Sequence, residues 1–174
     1  MRIVITGTPG TGKTKTALGL SKKLGYALIA LKKIVKEERL LDTGKTVDVK
    51  KLSMKVRERV KRKKDFVLEG HLACEFSIPC DYIIVLRTHP DALRKRMKKR
   101  RYGKKKIEEN LLAEMLDYCY QKAQKNYRKS PVEIETTKRK PAETIKEIIG
   151  VIRKRRKMDK VDFTKELKEH LGLV

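Results

Sequence analysis

The chain is predicted to fold as an α/β domain around a mostly parallel sheet, and three observations carry that expectation. Short, almost purely apolar runs recur at residues 3–5, 66–68 and 82–86, the pattern of strands buried on both faces. Between them lie segments with apolar residues at helical spacing, so strands and helices alternate. The octapeptide GTPGTGKT, Gly7 to Thr14, separates the first such strand from the first such helix.

Each element follows in order. After the glycine-rich loop, residues 15–24 carry Ala17, Leu18, Leu20 and Leu24 at a helical period. Residues 26–30 form a short apolar strand. The helix KKIVKEERLLD comes next, with Ile34, Val35, Leu40 and Leu41 as its buried side, and Thr43-Gly44 ends it. Residues 49–63 form a helix with Leu52, Val56 and Val60 four apart. Strand 66–68 delivers Glu69, Gly70 and His71 at its carboxyl end. After a loop punctuated by Pro79 and the strand 82–86, Pro90 opens a strongly basic helix that Gly103 interrupts. Residues 107–128 read as one long helix with Ile107, Leu111, Met115 and Leu116 on its apolar side. A fifth strand, 132–135, precedes a helix running from Pro141 through Ile145, Ile148, Ile149 and Ile152. Residues 153–174, basic and then amphipathic, read as an appendage.

A length of 174 residues suits one domain. No apolar run reaches 18 residues, so no membrane span is expected, and the N-terminus lacks a signal-peptide pattern. The cysteines Cys74, Cys80 and Cys119 include no C-x-x-C pair, which fits free thiols and a cytoplasmic location. His71, Cys74 and Cys80 lack a fourth ligand at zinc spacing. The net charge of +24 is the unusual feature. A charge-rich, amide-poor composition is common in proteins from hot environments, but it does not explain the imbalance. The positive excess points to a polyanionic partner, most plainly RNA. Aromatics at 5% argue against a base-stacking module and favour contact with phosphates or a ribonucleoprotein surface.

Gly7, Gly12, Lys13 and Thr14 match the G-x-x-x-x-G-K-[ST] pattern of a phosphate-binding loop, in the strand–loop–helix context that the pattern requires. Its glycines free backbone N–H groups to turn around a polyphosphate. Lys13 can reach the outer phosphates, and Thr14 offers an oxygen to magnesium. Glu69, the first acid to follow an apolar strand after the loop, can hold the same ion. His71 can orient a water or a substrate phosphate, or is an ordinary polar residue at a strand end. Arg96 and Arg100, four apart, share a helix face and could close on a transferring phosphoryl group, although most of their basic neighbours must be solvated surface.

GTPGTGKT, LEGHL, PCDYIIVLRTHPDALRKRMKKRRY and KKKIEENLLAEMLD together resemble the archaeal adenylate kinases, relatives of the nuclear adenylate kinase isoenzyme 6. The resemblance implies a P-loop nucleoside monophosphate kinase domain over residues 1–152, with five parallel strands, an AMP-binding insertion at about 30–53 and a lid at about 99–109. It implies ATP contacts from Gly10, Gly12, Lys13, Thr14 and Lys15, a nucleotide-binding Arg100, and Lys140 near the adenine. It also implies that Glu69 and His71 serve phosphoryl transfer or hydrolysis. Glu69 stands where the family commonly has aspartate, and Lys36 where it often has arginine. The activity implied is transfer from ATP to AMP, with ATP hydrolysis and a role in small ribosomal subunit maturation through a ribosomal protein or ribosomal RNA. The alternative is an ATP-switched assembly factor with little kinase activity.

Overall fold

Five strands, β1 (Arg2–Thr6), β2 (Ala27–Ala30), β3 (Phe66–Glu69), β4 (Tyr82–Arg87) and β5 (Val132–Glu135), form one parallel sheet in the order β2-β3-β1-β4-β5. This is the doubly wound arrangement expected from the alternating pattern. The computed structural model describes residues 1–44 and 46–173, so Lys45 of the predicted insertion and Val174 of the predicted appendage lie outside the described residues.

The strand period of two fills both faces of the sheet. Ile3, Ile5, Val67, Ile84 and Leu86 pack under Ala17 and Leu20 of α1 (Lys13–Leu24) and Ile145 and Ile148 of α7 (Pro141–Ile152). On the opposite face Val4, Phe66, Leu68, Ile83 and Val85 meet α2 (Leu31–Glu37), α3 (Val49–Lys61) and α6 (Tyr118–Asn126). A third cluster holds Leu93 and Met97 of α4 (Pro90–Lys99), Ile107, Leu111 and Met115 of α5 (Lys104–Met115), and Phe163.

Three sequence expectations change. Helix α2 stops at Glu37, and Leu41, expected on its buried side, is exposed and bridges Val47 instead. The single helix expected over 107–128 is two, α5 and α6, parted at Asp117 with φ 54°. Nothing in the apolar spacing marks that break, because Ile107, Leu111, Met115, Cys119, Ala123 and Tyr127 continue at intervals of four. Buried Arg87 imposes it, donating to the Glu114 carbonyl and the Asp117 carboxylate. The tail read as an appendage is packed down. Phe163 is buried, its ring 5.2 Å from the Arg87 guanidinium, and a short α8 (Thr164–His170) lies against α5. Upstream, the Asp159 carboxylate accepts from the Glu135 N–H and from Arg139, which ties the tail to the end of β5.

Candidate active site

The sheet reverses its winding at β1: the chain first lays β2 and β3 on one side of it, then β4 and β5 on the other. Ligands of such sheets bind in the crevice at the strands' carboxyl ends. The loop from Gly7 to Gly12 fills that place. Gly7 has φ 137°, and a Cβ there would sit 2.4 Å from the Leu86 carbonyl oxygen, so the loop can pass over β4 only with glycine. Gly12 caps α1 without a side chain, and the first N–H groups of the helix face the cleft with no intrahelical partner.

Lys13 is buried and folded over this loop, its ammonium donating to the Gly7 carbonyl at 2.7 Å and the Thr8 carbonyl at 3.0 Å. Desolvation lowers its pKa, against the pull of nearby groups that include Glu69 and Glu114. Glu69, at the end of β3, is 6% exposed, and burial raises its pKa while Lys13 and Thr14 oppose the rise. The Thr14 hydroxyl lies 3.4 and 3.5 Å from the two Glu69 carboxylate oxygens. Hard oxygen donors turned toward one point beside a phosphate loop suit magnesium, so the residues fit the ion.

His71 begins a 3₁₀ turn (His71–Cys74) after Gly70. Its carbonyl accepts from the Thr6 hydroxyl at 3.1 Å, which fixes the turn to the end of β1. The ring is accessible in a concave cleft whose walls limit its hydration. This desolvation, reinforced by Lys13 and Lys106 and opposed by Glu75, lowers its pKa to about 4. His71 is therefore neutral at pH 7.

Two cavities flank the loop. One of about 480 Å³ is walled by Gly10, Gly12, Lys15, Arg96, Arg100 and Arg139, among others. The second, of about 720 Å³, is walled by Thr14, Lys32, Lys33, Lys36, Glu69 and His71, with apolar Leu31, Val35 and Val47 beside them. Gly70 admits helix α2 at this wall, since a Cβ there would lie 2.7 Å from Leu31. Among the described residues that wall the two cavities, Glu69 is the one acid. A cationic crevice of this kind concentrates polyphosphates.

Of the site residues expected from the sequence, Gly10, Gly12, Lys15, Arg96 and Arg100 line the first cavity and Thr14, Glu69 and His71 the second, whereas Lys13 and Lys140 line neither. Arg96 is less free than a mobile clamp would be: it donates to the Thr136 carbonyl at 2.6 Å, the Thr137 carbonyl at 3.1 Å and the Thr88 hydroxyl at 3.1 Å. Arg100 is exposed at the end of α4, close enough for its charge to help lower the Arg96 pKa after burial. Lys140 caps α7 and is exposed; its neighbours Arg139 and Pro141, not Lys140 itself, line the cavity. Sequence reasoning missed Thr8, Arg87, Glu114, Thr136 and Arg139. Thr136 donates to the Thr11 carbonyl at 3.0 Å and so supports the loop from the end of β5. A charged residue ending an apolar strand, as Arg87 does, was the one available signal, and its partners lie too far along the chain to be paired by spacing.

A family model described as an AAA domain matches residues 3–117. The chain is 37% identical over 169 residues to "Putative adenylate kinase" of Pyrococcus abyssi, covering 94% of this chain and 92% of that protein. It is 36% identical to the protein of the same name in Methanocaldococcus jannaschii, covering 99% and 98%. Among solved structures, shikimate kinase from Acinetobacter baumannii superposes with a TM-score of 0.68 at 14% identity, covering 90% of this chain and 95% of that one. A gluconokinase from Sinorhizobium meliloti gives 0.62 at 16% identity, covering 87% and 91%. These two likenesses establish the fold. The archaeal relatives, alike over nearly their whole length, establish the family: the chain belongs to the one whose archaeal members are named "Putative adenylate kinase", and it is a nucleotide kinase of the P-loop fold.

Proposed function

We propose that the protein transfers the terminal phosphoryl group of ATP to AMP, giving two ADP. The observation that carries this reading is the pair of cationic cavities on either side of one phosphate loop. A hydrolase needs a single nucleotide site, whereas a phosphotransferase needs a second for its acceptor. ATP would take the cavity walled by Lys15, Arg100 and Arg139, and AMP the one walled by Lys32, Lys33 and Lys36.

The residues then have separate tasks. The loop N–H groups cradle the ATP phosphates, and Lys13 turns from the Gly7 and Thr8 carbonyls toward them. Thr14 and Glu69 would hold magnesium, which when bound neutralises phosphate charge. Arg100 is exposed and can close on charge that develops in the transition state. Arg96 holds the Thr136 support of the loop and lends its charge to the same wall. The acceptor phosphate is itself the nucleophile, so in-line transfer requires no protein nucleophile. Neutral His71, on the acceptor side, can hydrogen-bond that phosphate. With the acceptor site empty, it can instead orient a water, giving ATP hydrolysis.

A second reading makes hydrolysis a timer in small ribosomal subunit assembly. It is favoured by the exposed cations of the α4–α5 turn (Lys98, Lys99, Arg100, Arg101, Lys104, Lys105) and by Arg153, Lys154, Arg155 and Lys157. Calorimetric titrations separate the assignments. Arg139→Ala should weaken a non-hydrolysable ATP analogue and spare AMP, and Lys36→Ala should do the reverse. Loss of both ligands in both variants, or one shared site for the two, would contradict the two-cavity reading.

A further inference from the structure

Glu114 is 2% exposed on α5, and both its carboxylate oxygens are engaged. One accepts from the Thr8 hydroxyl. The other accepts from the Arg87 Nε at 3.1 Å and the Thr88 N–H at 2.9 Å. Arg87, 1% exposed, completes its own shell with Asp117, Glu133 and the Glu114 carbonyl. Thr8 then carries the connection into the site. Its carbonyl accepts from the Lys13 ammonium at 3.0 Å and from the Thr11 hydroxyl at 2.9 Å. An unbroken run of hydrogen bonds therefore joins α5 to the lysine of the phosphate loop: Glu114, Thr8, Lys13.

The placement has a consequence for binding. Helix α5 starts at Lys104, directly after the cationic turn at 100–103 that ends α4. Glu114 is the acid through which this helix holds the loop. A buried charge cluster contributes little net stability compared with apolar packing of the same volume, because desolvating the ions offsets their attraction. What the cluster supplies is fixed geometry, with Thr8 held in one rotamer and its carbonyl aimed at Lys13.

We propose that Glu114 is a positioning residue of the nucleotide site: through Thr8 it sets the phosphate loop and Lys13 in the arrangement that receives ATP. The inference rests on the kinase reading above for its meaning in turnover, but its test does not require AMP. Glu114→Gln is the direct variant, yet it strips countercharge from buried Arg87 and can fail to fold. Thr8→Val is nearly isosteric and removes only the hydroxyl that reaches Glu114. Binding of a non-hydrolysable ATP analogue is measured by calorimetry well below the melting temperature, alongside steady-state kinetics. Thr8→Val should weaken the analogue about tenfold, the usual worth of a hydrogen bond to a charged group. It should raise KM for ATP by a similar factor and leave KM for AMP unchanged, and Thr8→Ser should restore most of the affinity. If Thr8→Val lowers the melting temperature but binds the analogue as wild type does, the cluster is structural and the inference is overturned. It is equally overturned if Thr8→Ser is as weak as Thr8→Val. A wild type that binds the analogue but does not phosphorylate AMP counts against the kinase reading alone, and the Thr8 comparison still decides the inference.

Discussion

The Thr14 hydroxyl stands 3.4 Å from the nearer carboxylate oxygen of Glu69, across the mouth of the phosphate loop. The acid is costly there, since burial raises its pKa despite Lys13. Between the ordinary carboxylate pKa and the raised one, the folded state binds more protons than the unfolded state. Stability therefore falls as pH rises through that window. Glu69→Gln removes the cost. At pH 7 the variant should melt at or above the wild-type temperature while transfer drops by about 10²-fold, the usual scale for removing one preorganised charged group. A Glu69→Gln protein that is less stable and fully active would contradict the proposal that Glu69 holds magnesium.

Desolvation lowers the pKa of His71 to about 4, against 6.5 for a free histidine. Its protonation favours the unfolded state, so the stability at stake is present above pH 6.5 and is lost as pH falls toward 4. An NMR titration of the ring should give a midpoint near 4, and a midpoint near 6.5 would remove the desolvation by the cleft walls. His71→Ala should lower ATP hydrolysis more than ATP affinity. Collapsed affinity with normal turnover of bound ATP would make the residue a binding or structural one.

Arg94 lies on α4 and Arg100 caps its end, and their surroundings differ. Arg94 grips Glu108 of α5 with both ends of its guanidinium, whereas Arg100 is exposed beside the ATP-side cavity. Arg100→Lys keeps the charge and loses the planar fork, so transfer should slow. Arg94→Lys should leave the rate within about twofold and cost at most about 1 kcal/mol of stability, as for other partly exposed pairs. Equal rate losses would mean that the helix acts through its general charge.

Read from sequence as an appendage beyond the kinase-like core, residues 153–174 are expected to be removable with ATP turnover unchanged and RNA binding weakened. Buried Phe163 and the Asp159–Arg139 pair argue otherwise, so its charge is better tested by substitution. Replacing exposed Arg153, Lys154, Arg155 and Lys157 with Gln should leave ATP turnover intact. It should flatten the dependence of log affinity for structured RNA on log salt by roughly 0.7 to 0.9 for every phosphate that is no longer neutralised. An unchanged slope, or no RNA binding at low salt, would leave these cations without that role.

The fold was legible because strands with both faces buried are nearly pure apolar runs, as in β1 and β4, and because one local motif fixes where the loop lies. The position of Glu69 at the end of β3, with His71 two residues beyond it, was legible for the same reason: an apolar strand leads up to them. The parting of α5 from α6 was not, since it depends on Arg87, 30 residues away from Asp117. The hydrogen bond between Thr8 and Glu114 spans 106 residues, and no periodicity encodes it. The threonine partners of Arg96 were not legible either, because they come from the ends of two strands that lie far apart in sequence.

The central claim is a phosphotransferase with two nucleotide sites, and the most direct test follows products by ³¹P NMR with magnesium and ATP, with and without AMP. With AMP, the wild type should form two ADP for each ATP consumed and release no inorganic phosphate. Omitting AMP should slow ATP consumption at least about tenfold, and Lys13→Ala should reduce transfer by about 10²-fold or more. ADP and inorganic phosphate formed one to one at a rate indifferent to AMP would contradict the account.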